Sequence, residues 1–460
     1  MRANHPFLRY SESLLVRQPF RALKGFAGGY IAYPIAESRE KRSVRPKIEE
    51  LRRHYALPVP ERRRIALERL AGMLEFAGAR VPYYRDLFQA RQFQPAKVKQ
   101  DPRYLETLPY LTKDIIREQG ARLYSASLEQ TRHHVCKTGG STGLSCTIYY
   151  DQEGADYSSA VTFYARERIG KLRHRSELHF ACRFPDEAIP EWPSREDFKC
   201  FAMNRSNIFF DRIDDEGLEE MWQTLKRRRP YLAHSHPSTM YALACYVQRK
   251  YGGGNAFQVF ESSGELLEPN VREVIASALR CRVINRYGLA ELGVMAYELD
   301  GHESGFQILE SEGWPESRVS EGNPDGAHEL VFTGFRNRLM PLIRYATGDL
   351  ARVQETHKGF FLTDVVGRIH DVVPINGVAH PTHHIQDMLD HRIGGIQEFQ
   401  IDLRTTPPTL RIVPEPWANP DEITSKLRHY WQDAFTIAFV GHDDLVRVGS
   451  RAKFRHVVSA

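Results

Sequence analysis

The 460-residue sequence has no uninterrupted apolar run of about 18 residues, so no segment reads as a transmembrane helix. Its first residues contain no clean apolar stretch of roughly 7–15 residues, because Arg9, Arg17 and Arg21 interrupt every candidate. That argues against a secretory signal. The cysteines are Cys136, Cys146, Cys182, Cys200, Cys245 and Cys281. They form no C-x-x-C pair and match neither a disulfide framework nor a zinc knuckle, which fits reduced thiols in a cytoplasmic protein. Charge of one sign is also lacking. Lys and Arg number 63 against 58 Asp and Glu, a net charge of +5. Without a strong cation excess or an RNA-binding motif, a nucleic-acid binder is disfavoured, and the mild excess suits small anionic ligands. Internal repeats and low-complexity tracts are absent.

What is present is ordinary globular composition, 42% hydrophobic and 26% charged. At roughly 100–200 residues per domain, the length suggests two to four units. Residues 1–75 form an arginine-rich, mostly helical leader. Within it, Ile65, Leu67, Leu70, Met73 and Leu74 recur near the 3.6-residue period, predicting an amphipathic helix over Glu61–Phe76. The Arg62–Arg64 cluster reads as its solvated face. Phe26 to Ile35 is mildly apolar with two glycines, more in keeping with a buried or capping segment than with one touching a membrane surface.

From about residue 130, strand-like runs alternate with helical patterns. Thr147–Tyr150, Leu178–Ala181, Phe257–Phe260 and Arg282–Asn285 read as strands. Asp156–Ile169, Asp214–Arg229 and Ser238–Tyr251 read as helices. This alternation predicts an α/β fold. After Gly348-Asp349 the pattern changes. His384–Leu389 and Asn419–Phe435 read as helices among short strands, predicting a small α+β domain. The expected division is a large domain over 1–366 and a small one over 367–460.

Several segments carry candidate chemistry. Lys137-Thr-Gly-Gly-Ser-Thr-Gly143 is dense in glycine and hydroxyls, which lets backbone N–H groups and side-chain donors approach a phosphate. A plain glycine-rich turn is the competing reading. A Walker A loop is excluded, because Leu144-Ser145 stands where Lys-Ser/Thr is required. In Arg286-Tyr-Gly-Leu-Ala-Glu291, an aromatic at a strand end can stack on a base and a carboxylate can hold Mg²⁺. A strand-to-helix turn with a surface glutamate is equally compatible. Asp349, in Pro341–Asp349, sits at a glycine turn where it can accept two ribose hydroxyls or simply form an Asx turn. Gly367–Asp371 places Arg368 at the domain boundary. Ser450–Arg455 offers Lys453 on a late loop, otherwise a basic tail.

In their order and spacing these five segments resemble the adenylate-forming superfamily, and most closely its phenylacetate–CoA ligase and CapK-like branch. Val81–Phe88, Leu108–Lys113 and Asn337–Arg344 also look like that branch, so the resemblance runs from about residue 60 to the C-terminus. It implies a large adenylation domain with a small mobile C-terminal domain. It implies ATP-dependent conversion of a carboxylic acid, for this branch an aryl one, to an acyl-adenylate and then to a thioester with CoA. The alternative acceptors are an amine, a hydroxyl or a carrier protein acting in trans. A non-catalytic nucleotide-binding relative is the further alternative. A homodimer is compatible with the branch.

Residue by residue, the resemblance assigns Thr138, Gly139, Gly140, Ser141, Thr142 and Gly143 to the ATP phosphates. Ser263, Gly264 and Glu265 would line the adenine pocket, with Tyr287 and Gly288 against the base. Glu291 would ligate Mg²⁺ and take part in catalysis. Asp349 would hold the ribose, Arg368 the nucleotide near the hinge, and Lys453 would be the catalytic lysine of adenylation. The sequence departs from the family pattern in three places. Gly139 replaces a second hydroxyl residue, Ala452 replaces the glycine before the lysine, and His370 replaces an acidic or lysine hinge. A histidine hinge predicts a pH-sensitive second half-reaction. The paired histidines have no recognised metal-ligand spacing. Trp192, Trp222, Tyr241 and Tyr246 are candidates for an acyl pocket, with core packing as the alternative.

Overall fold

The computed structural model describes residues 19–137, 146–182, 194–210, 213–300, 305–319, 328–366, 372–441, 444–448, 453–454 and 456–458. Helices open the chain. Pro19–Phe26 (α1) runs through a π-helical turn, Ala27–Ala32, into Tyr33–Arg39 (α2). Gly28, Gly29 and Ala32 are buried, while Leu23, Tyr30, Ile31 and Ile35 are exposed. The mildly apolar segment is therefore buried on one face only. The cause is steric: a Cβ on Gly28 would stand 2.2 Å from the Phe201 carbonyl oxygen. Val44–Ala56 (α3) and Val59–Arg80 (α4) follow. The period read over residues 61–76 is borne out, and Leu70, Met73 and Leu74 are buried. Arg62 departs from the expected solvated face. It is buried and pairs with Glu310 at 3.0 Å.

Pro82–Ala90 (α5) and Lys113–Gln119 (α6) lead to a hairpin of His133–Lys137 (β1) and Thr147–Asp151 (β2). Gln152–Arg168 (α7) then precedes the large sheet. Its first strands are Glu177–Cys182 (β3), Arg205–Phe210 (β4), Leu232–Ser235 (β5), Val259–Ser262 (β6) and Arg282–Leu289 (β7). Arg195–Met203 (α8), Asp215–Arg228 (α9), Pro237–Tyr251 (α10) and Pro269–Leu279 (α11) are the intervening helices. These strands are parallel. Such strands need helical crossovers, and the strand–helix alternation in the sequence reflects that need. The strand expected at Phe257–Phe260 begins two residues later, where Val259 takes up pairing with Arg282.

At β7 the sheet changes character. β7 pairs in parallel with β6 and antiparallel with Gly293–Tyr297 (β8). The sheet continues antiparallel through Phe306–Ile308 (β9), Gly313–Val319 (β10), His328–Gly334 (β11), Tyr345–Thr356 (β12) and Gly359–Val366 (β13). Eleven strands result, in the order β10-β11-β12-β13-β9-β8-β7-β6-β5-β3-β4. The fold is α/β, as expected. One apolar cluster packs α4 and α5 against the antiparallel half, and another packs α9, α10 and α11 against the parallel half.

Residues 372–458 contain a hairpin, Val372–Ile375 (β14) with Val378–Pro381 (β15), and helices Thr382–Met388 (α12) and Pro420–Trp431 (α13). Ile396–Asp402 (β16), Thr409–Pro414 (β17), Thr436–Phe439 (β18), Arg447–Val448 (β19), Lys453–Phe454 (β20) and Val457–Val458 (β21) complete the chain. A four-stranded sheet, β18-β17-β16-β21, encloses its own apolar cluster with Ile385, Phe399, Leu427 and Trp431. α13 stops before the expected Phe435 because Gln432 turns left-handed, at φ 53°. Among the described residues, no helix is long and apolar enough to cross a membrane. None of Cys136, Cys146, Cys200, Cys245 and Cys281 forms a disulfide.

Candidate functional site

A cavity of about 1300 Å³ opens where β7 meets β12 and β13, and Gly264, Glu265, Tyr287, Gly288, Glu291 and Asp349 all line it. Three sequence segments, the first and last about 85 residues apart, therefore converge. The strand β7 supplies the centre. Its last residues, Arg286 to Leu289, run past the end of β6 and pair with β8 through a register shift at Tyr287/Gly288. The alternative reading of Arg286–Glu291 as a strand-to-helix turn is thus overturned. The segment is a β-hairpin, because Gly293, at φ +73°, returns the chain into an antiparallel strand.

The expected glycine turn at Asp349 is corrected as well. Asp349 lies inside β12, beside Gly348 at φ +78°, where the β11–β12 register shifts. A bulge inserted in a strand re-aims its side chains. The Tyr287 hydroxyl donates to Asp349 Oδ2 at 2.7 Å. Burial and the adjacent Asp349 carboxylate both raise the Tyr287 pKa well above the usual phenol range. The phenol thus stays a neutral donor to the Asp349 carboxylate.

Glu291 is nearly buried. Its Oε1 accepts from the Tyr345 hydroxyl at 2.7 Å and lies 4.0 Å from Lys113 Nζ. Lys113 comes from the segment just before and within α6. That segment is stitched to β12 by Leu111 N–H to the Arg344 carbonyl, 2.9 Å, and Ala346 N–H to the Leu111 carbonyl, 3.0 Å. Neither Lys113 nor Tyr345 is among the site residues assigned in the five candidate segments, although both fall in or beside the stretches Leu108–Lys113 and Asn337–Arg344. Cys136, at the end of β1, also lies near Glu291. Burial first, and then the Glu291 charge, push its thiol up to about 11. The loop end of this hairpin, at Cys136, therefore sits near the Glu291 carboxylate.

Gly264 takes φ +85°, and a Cβ there would stand 2.5 Å from the His236 ring. The turn allows the chain to pass His236 closely and then place Glu265, whose carboxylate accepts from Ser238 N–H at 3.0 Å and Ser238 Oγ at 2.9 Å. Thr138, Gly139, Gly140, Ser141, Thr142, Gly143, Arg368 and His370 lie outside the described residues. Lys453 opens β20, where it pairs with Val448. Trp192 is outside the described residues too. Trp222 is buried in the core between α9 and α10, Tyr246 donates to Glu219, and Tyr241 is exposed, so none of these three lines the cavity. Core packing is the reading borne out for Trp222. Among the described residues, no group of three His, Cys, Asp or Glu side chains is placed to hold a metal ion. Glu291 is a carboxylate of the kind that would hold a magnesium ion, with the remaining ligands coming from phosphates and water.

Three stretches singled out in the sequence, 81–88, 108–113 and 337–344, meet through buried contacts. The Tyr84 hydroxyl donates to the Pro341 carbonyl at 2.9 Å, and Ile343 N–H donates back to that hydroxyl at 3.2 Å. The Arg344 guanidinium donates to the Leu108 carbonyl and pairs with Glu316 at 2.9 Å.

No family model matches the chain. Among curated proteins it is similar to Protein CapK of Staphylococcus aureus, 23% identical over 279 residues, covering 58% of this chain and 59% of that protein. It is similar to phenylacetate-coenzyme A ligase of Escherichia coli (strain K12), 26% identical over 347 residues, covering 70% of this chain and 74% of that one. Its fold matches that of 2-hydroxyisobutyryl-CoA ligase in complex with 2-HIB-AMP and CoA in the thioesterification state. The TM-score is 0.55 and the identity 19%, over 88% of this chain and 91% of that one.

Proposed function

We infer that this chain, which has the fold of the adenylate-forming acyl-CoA ligases and kinship with the phenylacetate–CoA ligase and CapK branch, is an AMP-forming carboxylate–CoA ligase. The observation that carries the reading is the cavity where Tyr287, Glu291 and Asp349 meet the Gly264–Glu265 turn. In this reading ATP lies with its adenine against Tyr287 and its ribose hydroxyls donating to Asp349. Thr138–Gly143 would cradle the phosphates, and Arg368 would hold the nucleotide at the hinge. Glu291 would hold Mg²⁺, which offsets phosphate charge when bound.

The chemistry needs no general base, since a carboxylic acid is already ionised near neutral pH. The substrate carboxylate attacks the α-phosphorus and pyrophosphate leaves. The protein's task is to bring an anion to a polyanion, and Lys453 supplies the compensating cation. Placing that lysine in a separate unit, residues 367–460, makes catalysis conditional on closure. A CoA thiol then attacks the acyl carbon and AMP leaves. An amine, a hydroxyl or a trans-acting carrier protein is the alternative acceptor. The His370 hinge predicts that this second step follows the charge of an imidazole.

The test is ATP–pyrophosphate exchange against aryl, fatty and hydroxylated acids. Exchange with one acid class, reduced by roughly 10²–10³-fold in Lys453→Ala, supports the reading. Equal exchange in that variant would sink the lysine assignment. CoA, amines and a phosphopantetheine thiol, added in turn, would separate the acceptors.

A further inference from the structure

A parallel sheet covered on both faces is expected to carry mostly apolar side chains. One row of this sheet does not. His179 on β3, His234 on β5 and Glu261 on β6 are direct register partners across adjacent strands. They share a face with Arg286, two residues beyond Ile284, the β7 partner of Glu261. This row lies toward the carboxyl ends of the parallel strands, where open α/β sheets bind ligands.

The base of the row is sealed and saturated. Glu261 accepts from Arg166 at 2.6 Å and from the Tyr297 hydroxyl, and Glu177 takes Arg166 at 3.2 Å and Lys171 at 3.0 Å. The side chains of both glutamates are 0% exposed. The upper edge is different. The side chains of His179, His234 and Arg286 are 21%, 18% and 19% exposed. Arg286 also lines the cavity and immediately precedes Tyr287. Its nearest carboxylate contact is Glu261 at 3.7 Å, an oxygen already held by Arg166 at 2.6 Å, and its hydroxyl contact is Ser263 Oγ at 3.3 Å. A guanidinium has five N–H donors, so these contacts leave most of its capacity for a ligand.

The histidine fixes the kind of ligand. His234 Nδ1 stands 2.9 Å from Glu261 Oε2 and 3.2 Å from the Glu261 carbonyl oxygen. Both partners accept only, so Nδ1 carries the proton and Nε2 the lone pair. Burial lowers the His234 pKa, keeping the ring neutral. An imidazole bearing a lone pair and a guanidinium that meet on the same Glu261 carboxylate suit a group that both donates and accepts. A hydroxyl does both, whereas a carboxylate only accepts and a hydrocarbon does neither.

Resting on the reading of the cavity as an acid and nucleotide site, we propose that His234 and Arg286 select a carboxylic acid that carries a hydroxyl. Arg286 donates to the hydroxyl oxygen, and the hydroxyl donates a hydrogen bond to His234 Nε2.

The test compares phenylacetate, 4-hydroxyphenylacetate, mandelate and phenylsuccinate in pyrophosphate exchange, with wild type, His234→Phe and Arg286→Met. At least a tenfold higher kcat/KM is expected for one of the hydroxylated acids over phenylacetate. The ratio should fall toward one in both variants. A ratio of rates is insensitive to the fraction of protein folded, so a merely structural role would not move it. Preference for phenylacetate or for the dicarboxylate phenylsuccinate in wild type would overturn the proposal, as would an unchanged ratio in both variants. If no acid supports exchange, the adenylation reading fails separately. Calorimetric binding of the same four acids to wild type then decides, and equal or tighter binding of phenylacetate overturns the selection of a hydroxyl.

Discussion

The hydroxyl of Tyr287 and the carboxylate of Asp349 lie 2.7 Å apart, joining two strands that are 62 residues apart in sequence. One of the two carboxylate oxygens is thereby fixed in direction. A hydrogen bond to a charged group contributes about 1.5–3 kcal/mol. Tyr287→Phe keeps the ring and removes this restraint. The Kd for AMP, measured by calorimetry, should rise roughly tenfold, about 1.4 kcal/mol. Asp349→Asn should cost more, and an unchanged Kd in both would remove Asp349 from the nucleotide site.

Gly264→Ala tests the turn beside His236. The residue has φ +85°, and the added Cβ would lie 2.5 Å from the imidazole. Left-handed backbone costs a non-glycine residue about 1–3 kcal/mol, and here the clash adds to it. Lower stability in urea and weaker AMP binding are expected together. Wild-type values for both would show that the turn relaxes freely.

Arg344 holds Glu316 at 2.9 Å and caps the carbonyls of Glu106, at 3.1 Å, and Leu108, all in a buried setting. Arg344→Ala leaves a buried carboxylate without its cation, which typically costs 3–5 kcal/mol. The urea midpoint should fall accordingly. If it does not move, the three family-like stretches are held by their apolar contacts instead.

Acid should weaken the fold in two stages. Burial lowers the pKa of His174 and His179 to about 4 and that of His54 to about 3, against 6.5 ordinarily. Between about pH 6.5 and 4 the unfolded chain binds protons that the native one refuses, so stability falls as pH falls through that window. Below about pH 4.5, Glu177 and Glu261 add a second loss. Their pKa values are held well below the usual range by Lys171 and Arg166, which overcome the opposing effect of burial. Urea titrations at pH 7, 6 and 5 should show a falling midpoint, with a shallower slope in His179→Asn. A midpoint flat across that range would contradict the assignment of buried neutral histidines.

Much of the architecture was legible because it is local. The apolar period of α4 and the strand–helix alternation after residue 130 follow from which side chains must be buried, and both appear where expected. The site was legible as an ordered set of segments, but its joints were not. Lys113 and Tyr345 reach Glu291 only because the segment before α6 docks on the start of β12, a long-range pairing that no local pattern encodes. Arg62 belongs to a charged triplet in sequence, yet Glu310, far along the chain, draws it inside. The turn expected at Asp349 is a strand bulge, because β11 and β13 offer pairing partners that the local Gly-Asp signal does not reveal.

β7 is the one strand where the parallel and antiparallel halves of the large sheet are joined edge to edge. Its end carries the Tyr287-Gly288 pair, so the cavity belongs to neither half. A fragment containing only one half cannot inherit part of the binding activity. In a denaturation series, nucleotide affinity should vanish as soon as either half frays, while much of the helical signal persists. Binding therefore serves as a more sensitive gauge of an intact particle than spectroscopy, and splitting the chain beside β7 should silence the protein more thoroughly than a cut elsewhere.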